Sequence, residues 1–293
     1  MRTRLIPATS TTAKTAVAAA LSVVLAGAGA AAAATGGTAT GSTTARGSAT
    51  GSTTARAAAT ATPTPPPDYK RVGSEPRNLD QLKAQINAYY NGYTDASGHH
   101  HIGPDSQWAA DVATQIGKAK AYLEERLAHH APKIPAVMLD IDDTSISTYP
   151  VNADYDFGGG ADASAADAQA DADNTYPVVQ PTLDLATWAH AHGVKVVFIT
   201  GRHDNLTTVT RNQLTGLGFP IDGLYLRPKS DPPPYLPCGT SCSATPFKSN
   251  TRKYLEQSQG YDFIEAIGDQ VSDYAGGYDD RGFKLPNPMY NIP

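Results

Sequence analysis

In the segment VMLDIDDTSIS, residues 137–147, an apolar run ends in a group of acids. Residues 137–139 are apolar, as in a buried strand, whereas Asp140, Asp142 and Asp143 fall within four positions. In extended backbone alternate side chains share a face, so we expect Asp140 and Asp142 to point together and Asp143 to point away. Carboxylates this close repel one another unless a cation lies among them. The stretch therefore predicts a strand that ends at a charged site.

Short apolar runs of the same kind recur along the chain, separated by stretches with helical spacing. The predicted strands are residues 136–139, 195–199, 223–226 and 263–267. The helical stretches between them, each ending at a glycine, are residues 183–193, 205–218 and 248–260. Two more helices, capped by Asn78 and started by Ser106, precede the first strand, and residues 282–290 predict an edge strand. Strands that alternate with helices predict an α/β fold, with a parallel sheet covered by helices on both faces.

Polar residues gather where the predicted strands end. Thr200 and Gly201 follow the second strand, Asp269 and Asp273 follow the last, and Lys248 lies in the helix before the last strand. Ligands bind outside the carboxyl ends of the strands in parallel α/β sheets. We therefore expect these residues and the acids after the first strand to meet at one edge of the sheet.

The residue types at that edge point to phosphoryl transfer. Carboxylate ligands from Asp140, Asp142 and Asp269, without a convincing set of His or Cys, favour Mg²⁺ as cofactor. Thr200, the amides near Gly201 and Lys248 are donors for a phosphoryl group. Asp140 would attack phosphorus and form an aspartyl-phosphate, and Asp142 would protonate the leaving alcohol and then activate water.

Four segments resemble the ordered motifs of haloacid dehalogenase (HAD) superfamily phosphatases. They are LDIDDTSIS (139–147), VVFITGR (196–202), PFKSNTRKYLE (246–256) and IEAIGDQVSDYAG (264–276). The likeness covers residues 79–290 and is greatest to the acid phosphatases of subfamily IIIB, with plant vegetative storage proteins and class B-like bacterial enzymes. It implies a HAD-type Rossmannoid sheet with a small cap insertion at about 145–179. It also implies a secreted, Mg²⁺-dependent acid phosphatase that accepts small phosphomonoesters broadly.

The same resemblance assigns the residues of the site. It gives Asp140, Asp142, Thr200 and Lys248 the roles described above. It adds that Asp269, Asp140 and the backbone carbonyl of Asp142 hold the Mg²⁺ ion, with Asp273 supporting them. Storage-type members that lack the nucleophile lose activity, so the presence of Asp140 favours a working enzyme.

Several assignments have competing interpretations. Lys229 also follows a strand, but the residues around Lys248 favour the latter. Arg202, in a supporting position, could contact substrate or pair with a carboxylate. Residues 161–173 are rich in Asp and Ala but lack the glycine and terminal acid of a calcium loop, so we predict a solvated insert.

The first 67 residues differ in composition from the rest. Residues 1–34 have the form of a secretory signal peptide, with a retained membrane anchor as the alternative, and residues 35–67 form a Thr/Ser/Ala/Pro-rich linker that we predict to be disordered. The phosphatase domain would then be 68–293, with no stable membrane insertion after cleavage. In an exported protein Cys238 and Cys242 are expected to form a disulfide rather than a metal pair.

Charge limits the class of partner. The net charge is −5 and there is no basic stripe, which argues against nucleic acid as a partner. Small phosphomonoesters are the expected partners, and the sequence leaves the oligomeric state open. Three alternatives remain: phosphotransfer to an alcohol acceptor, an inactive phosphate-binding or storage-type relative, and a surface-adhesion module.

Overall fold

The computed structural model describes residues 73–129 and 133–292 of the 293-residue chain. The predicted signal peptide and linker lie outside the described residues. The helices are α1 (Leu79–Tyr89), α2 (Gln107–Ala128), α3 (Tyr149–Asp154), α4 (Ala161–Asp173), α5 (Gln180–Ala191), α6 (Thr207–Gly216) and α7 (Ala244–Gln259). The strands are β1 (Tyr93–Thr94), β2 (His100–His101), β3 (Ile134–Leu139), β4 (Lys195–His203), β5 (Gly223–Arg227), β6 (Tyr261–Gly268) and β7 (Arg281–Lys284).

Five strands form one sheet in the order β5-β4-β3-β6-β7, and every neighbouring pair is parallel. The strand that the acids follow, β3, is central, between β4 and β6. The last strand, β7, lies at the edge beside β6, as the sequence predicts. The remaining strands, β1 and β2, form a separate antiparallel pair. The predicted α/β fold with a parallel sheet is confirmed.

Apolar side chains cover both faces of the sheet, because strands in the middle of such a sheet are buried on two sides. Val137 and Leu139 of β3 belong to one buried cluster, which includes the inner face of α2. Ala136 and Met138 belong to a second cluster, with Phe247 of α7. This packing explains why β3 is a continuous apolar run. The acids begin where this run stops, at the carboxyl end of the strand.

The helices begin and end where the local sequence directs. Asn78 caps α1 by accepting a hydrogen bond from the backbone N–H of Gln81 at 3.1 Å. Ser106 caps α2 in the same way, at 3.1 Å from the nitrogen of Ala109. Gly260 ends α7 in the left-handed conformation, with a φ of 75°, which glycine adopts without steric cost. Each of these end points was predicted from the sequence.

Between β3 and α5 the chain forms two helices of the predicted cap region. The first, α3, is short, and the second, α4, packs against α3 and α6. Residues 161–173 were predicted to be a solvated insert, and this is wrong for their inner face. Ala170 and Asp171 are buried, because Asp171 turns toward a cation on β4.

A helix that crosses a bilayer needs about 20 mostly apolar residues, and none of the helices within the described ranges meets that requirement.

Cys238 and Cys242 form a disulfide, with their Cα atoms 5.0 Å apart, in the loop between β5 and α7.

Candidate active site

The acids after β3 lie in a tight turn rather than in extended backbone. The nitrogen of Asp140 donates to the carbonyl of Ile267 at 3.0 Å, which keeps it beside β6. The backbone N–H groups of residues 144–146 then all donate to the carbonyl of Ile141, at 2.7–3.2 Å. Asp143 adopts a left-handed φ of 53° within this turn. Asp140 and Asp142 both line one cavity, but each pairs with a different cation.

Asp140 belongs to a group of three buried carboxylates. Asp140, Asp269 and Asp273 each offer one oxygen, and these oxygens lie within 4.8 Å of one another. The ammonium of Lys248 lies 2.8 Å from Asp140 Oδ1 and 2.5 Å from Asp273 Oδ1. Within the described residues Asp140 Oδ1 accepts no hydrogen bond besides this ion pair, so that oxygen keeps acceptor capacity. The single positive charge of Lys248 does not balance the negative charge of three ionised carboxylates.

Burial, together with the neighbouring carboxylates, raises the pKa values of these carboxyl groups. Burial raises the pKa of Asp140 to about 7, against the opposing effect of Lys248, and Asp273 raises it further. Burial, followed by the charges of Asp140 and Asp273, raises the pKa of Asp269 well above its usual value. Hard oxygen ligands with unbalanced charge suit a divalent cation. The donor set therefore fits a divalent metal ion.

The structure groups Asp273 with Asp140 and Asp269, whereas the sequence analysis assigned it only a supporting position. The side chain of Asp142 is not in this group. A contribution of Asp142 to metal binding would therefore come from its backbone carbonyl, as the resemblance implies.

Neighbouring residues hold the carboxylates of Asp269 and Asp273 in place. The amides of Gln270 and Asn287 donate to Asp269 Oδ2 at 2.6 and 2.7 Å. The backbone nitrogen of Gln270 donates to Asp273 Oδ2 at 2.8 Å. A Cβ atom on Gly268 would lie 2.0 Å from Asp273 Oδ2, so only glycine leaves room for this carboxylate.

Asp142 is held by Arg202, which follows the TG pair at the end of the buried part of β4. Arg202 Nε lies 3.0 Å from Asp142 Oδ2, and Nη2 lies 2.5 Å from Oδ1. A bidentate contact of this kind fixes the plane of the carboxylate as well as its position. Of the two interpretations of Arg202, the structure shows the carboxylate pair.

Asp143 points away from the cavity and has a structural role. It is fully buried and accepts hydrogen bonds from the hydroxyls of Thr148 and Tyr290, at 2.5 and 2.7 Å. Burial raises its pKa to about 6, and these hydrogen bonds oppose the increase. Tyr290 thus ties the chain beyond β7 to the turn after β3.

The residues predicted to bind phosphate lie around the same cavity, which has a volume of about 260 Å³. Gly201 and Lys248 line it, and Thr200 is fully buried next to Gly201, its hydroxyl accepting the N–H of Arg202 at 3.2 Å. Lys229, the competing lysine, is exposed, and its backbone N–H bonds to Asp204. The structure therefore places Lys248, rather than Lys229, beside Asp140.

Sequence reasoning missed four residues of the site. Arg227 at the end of β5 lines the cavity, and Tyr290 lines it from the C-terminal segment. Asn287 supports Asp269, and Asp171 pairs with Arg202. The position of Arg227 at a strand end was the one available signal. The other three act across long sequence separations that leave no periodic pattern.

The disulfide lies next to the missed arginine. Arg227 Nη2 donates to the backbone carbonyl of Cys242 at 2.6 Å. The loop closed by Cys238 and Cys242 therefore helps to fix a cation at the cavity wall.

Comparisons with known proteins show which families and folds the chain resembles. A family model described as HAD superfamily, subfamily IIIB (acid phosphatase) matches residues 73–293. Vegetative storage protein 1 of Arabidopsis thaliana is 28% identical over 218 residues, 74% of this chain and 74% of that protein. A stem 31 kDa glycoprotein of Glycine max is 31% identical over 189 residues, 64% of this chain and 70% of that protein. Acid phosphatase 1 of Solanum lycopersicum is 31% identical over 157 residues, 53% of this chain and 58% of that protein.

A solved structure shares the fold. The class C acid phosphatase of Bacillus anthracis superposes with a TM-score of 0.53 at 19% identity, over 73% of this chain and 86% of that chain. At this identity the likeness concerns the fold alone.

Proposed function

Because the chain belongs to subfamily IIIB of the HAD superfamily, the acid phosphatases, we propose that it is a secreted, Mg²⁺-dependent acid phosphatase. It hydrolyses phosphomonoesters through an aspartyl-phosphate intermediate. The observation that carries the proposal is the position of Asp140, whose carboxylate lies in the cavity beside Lys248 and in the same cavity as the Asp142–Arg202 pair.

Both halves of the proposed reaction use Asp140 and Asp142. A carboxylate oxygen of Asp140 forms a bond to phosphorus while the bond from phosphorus to the ester oxygen breaks. Asp142 transfers a proton to that oxygen, and the alcohol leaves. Water then attacks phosphorus, Asp142 takes a proton from it, and phosphate departs as Asp140 is regenerated.

The cations and the backbone of the chain stabilise the transferred group. Lys248 and Arg227 supply positive charge at the cavity wall, and the amide of Gly201 and the hydroxyl of Thr200 are the further donors that we assign to phosphate. Such donors accelerate the reaction because they are already oriented toward the charge on the phosphoryl oxygens. Lys248 also lowers the pKa of Asp140, against the larger effect of burial, and so favours the ionised form that attacks phosphorus.

Asp140, Asp269 and Asp273, with the Asp142 carbonyl, would hold the Mg²⁺ ion. When bound, this ion neutralises charge on the phosphoryl oxygens. The raised pKa values of Asp140 and Asp269 show that burial opposes their ionisation, which a divalent cation would reverse.

A second cavity offers a place for the alcohol part of the substrate. It has a volume of about 290 Å³ and shares Asp142, Tyr290 and Ile292 with the first. Its outer wall comes from the cap region and includes the small residues Gly158 and Gly159. Because the two cavities adjoin at these shared residues, an alcohol group of variable size can lie beside the phosphoryl site, which supports broad acceptance of small phosphomonoesters.

Replacement of the nucleophile tests the proposal. Asp140→Asn should lower the turnover of an aryl phosphate by several orders of magnitude, whereas Asp80→Asn, an exposed change on α1, should leave it unaltered. EDTA should abolish wild-type activity and Mg²⁺ should restore it. Retained turnover in Asp140→Asn would contradict the assignment.

The alternatives are separated by the products of the assay. Some relatives are named as vegetative storage proteins, and a storage-type protein or an adhesion module would give no Asp140-dependent turnover. Phosphotransfer would appear as a new phosphoester when a polyol is added to the reaction. The presence of Asp140 with its cation favours hydrolysis over the inactive alternatives.

A further inference from the structure

The guanidinium of Arg202 has an acceptor for every one of its hydrogens. It donates to both oxygens of Asp142, and its Nη2 also donates to Asp171 Oδ1 at 2.7 Å. Its Nη1 donates to Gln213 Oε1 at 2.9 Å and to Thr210 Oγ1 at 3.4 Å. Arginine carries five N–H donors in a rigid fork. The five contacts fix both the position and the plane of the group.

Asp171 is unusual for its helix. The rest of α4 consists mainly of exposed Ala and Asp, but the side chain of Asp171 is only 6% exposed. Gln213 of α6 donates to the same oxygen of Asp171 at 3.3 Å, which closes a ring with Arg202. A buried carboxylate is costly unless it is paired. Its burial therefore points to a function for the pair with Arg202.

We infer that Asp171 is a positioning residue, which acts through Arg202 to orient the carboxylate of Asp142 for proton transfer. The inference rests on the proposed function. Asp171, Gln213 and Thr210 occupy the edges of the guanidinium that Asp142 does not use. Because the group is planar, those three acceptors set the plane in which the two oxygens of Asp142 lie.

This role predicts an effect that depends on the leaving group. During phosphoryl transfer to Asp140, the ester oxygen of an alkyl phosphate must receive a proton from Asp142 as its bond to phosphorus breaks. An acidic nitrophenol leaves as its anion and needs no proton. Loss of Asp171 should therefore slow alkyl esters more than nitrophenyl esters.

The experiment compares kcat/KM for propyl phosphate and 4-nitrophenyl phosphate in wild type and in Asp171→Asn. We expect the nitrophenyl-to-propyl ratio to rise about tenfold, a part of the 10²–10⁴ that general acid catalysis contributes. The ratio comes from a single preparation, so it does not depend on the fraction of folded protein. Asp173→Asn is the matched control, because Asp173 is on the same helix but exposed and bonded to Gln169.

A second variant keeps the inference testable if Asp171→Asn folds poorly. Gln213→Met removes one acceptor from Arg202 and one donor from Asp171, and it should raise the ratio in the same direction by a smaller factor. An unchanged ratio in both variants would overturn the inference. An equal loss for both esters, with a higher KM and weaker inhibition by inorganic phosphate, would also overturn it, because Arg202 would then act on phosphate itself.

The outcome separates this inference from the proposed function. If Asp140→Asn keeps wild-type turnover, the proposed mechanism fails. If Asp140 is required but the ratio does not respond to Asp171 or Gln213, only the positioning role fails.

Discussion

At the scale of single residues, the site depends on close approaches that allow no extra atoms. Asp273 is buried and fits only because Gly268 has no side chain. Its Oδ1 contacts Lys248 at 2.5 Å, and its Oδ2 accepts the N–H of Gln270. A substitution at Gly268 would therefore displace Asp273 and, through it, Lys248, although residue 268 does not itself contact the lysine.

We expect Gly268→Ala to disrupt the site and to destabilise the protein. The added methyl overlaps Asp273, and relieving the overlap should cost about 1–3 kcal/mol of unfolding free energy. Movement of Asp273 and Lys248 by about 1 Å can lower turnover by about 10²-fold. Urea unfolding and a phosphatase assay measure the two effects.

Gly117→Ala is the control for this substitution. Gly117 is an exposed residue within α2, and a Cβ atom there meets nothing within 4 Å. The change should stabilise the protein by about 0.5–1 kcal/mol because alanine favours helix. Equal stability effects at both glycines would contradict the steric explanation.

A second prediction concerns Arg227, which the sequence did not identify. Arg227→Met should raise KM and the inhibition constant of inorganic phosphate about tenfold or more, as expected for loss of a charge-assisted hydrogen bond of about 1.5–3 kcal/mol. Titration of the steady-state rate with phosphate measures both. A change confined to kcat would show that Arg227 does not bind the phosphoryl group.

At the scale of elements, β6 carries an acid with no evident partner. Glu265 is fully buried between β3 and β7, and within the described residues neither of its oxygens accepts a hydrogen bond. Burial raises the pKa of Glu265 well above 4.5. The folded state therefore binds a proton at pH values where the unfolded chain has lost it.

The sign of the resulting pH dependence follows from linkage. Between the unfolded and folded pKa values the folded state holds more protons, so stability falls as pH rises above about 4.5. We expect Glu265→Gln to show a smaller loss of Tm between pH 5 and pH 8 than wild type, with EDTA present in every sample. Glu124→Gln, on the exposed side of α2, should keep the wild-type slope. An identical slope in Glu265→Gln would refute the prediction.

Elements were predicted from sequence better than the contacts between them. Strand β3 was recognisable because it is a continuous apolar run, and α7 because it ends at Gly260. Helix α4 was missed because Ala and Asp repeat with no apolar face, so only the pairing of Asp171 with Arg202 shows which side is buried. That pairing depends on tertiary structure and has no signature in the sequence.

At the scale of the whole molecule, the five-stranded sheet and the cavity at its strand ends are both built from residues within 134–292. We expect a protein that consists of residues 68–293 to keep the kcat/KM of one that consists of residues 35–293. The physical reason is that the Thr/Ser/Ala/Pro-rich segment has little apolar surface to bury. Steady-state assays of the two proteins measure this, and a large loss in the shorter one would show that the segment contributes to the site.

The candidate site was predictable to the extent that its residues follow strands. Asp140 and Asp269 were predicted because a parallel sheet brings its strand ends together. Lys248 was predicted from its place in the helix before the last strand. Asn287 and Tyr290 were not, because they lie in an irregular segment after β7. Tyr290 reaches Asp143 across 147 residues of sequence, and no local pattern predicts such a contact.

The irregular segment after β7 is synthesised after every strand of the sheet, so its contacts with the site form last. Asn287, Tyr290 and Ile292 contact Asp269, Asp143 and Gln270, and all three follow every strand of the sheet in the sequence. A polypeptide that emerges amino end first can build its scaffold while the supports of its carboxylates are still to come. We expect a nascent chain to be catalytically latent until residues 287–292 have been synthesised and have docked on Asp269, Asp143 and Gln270.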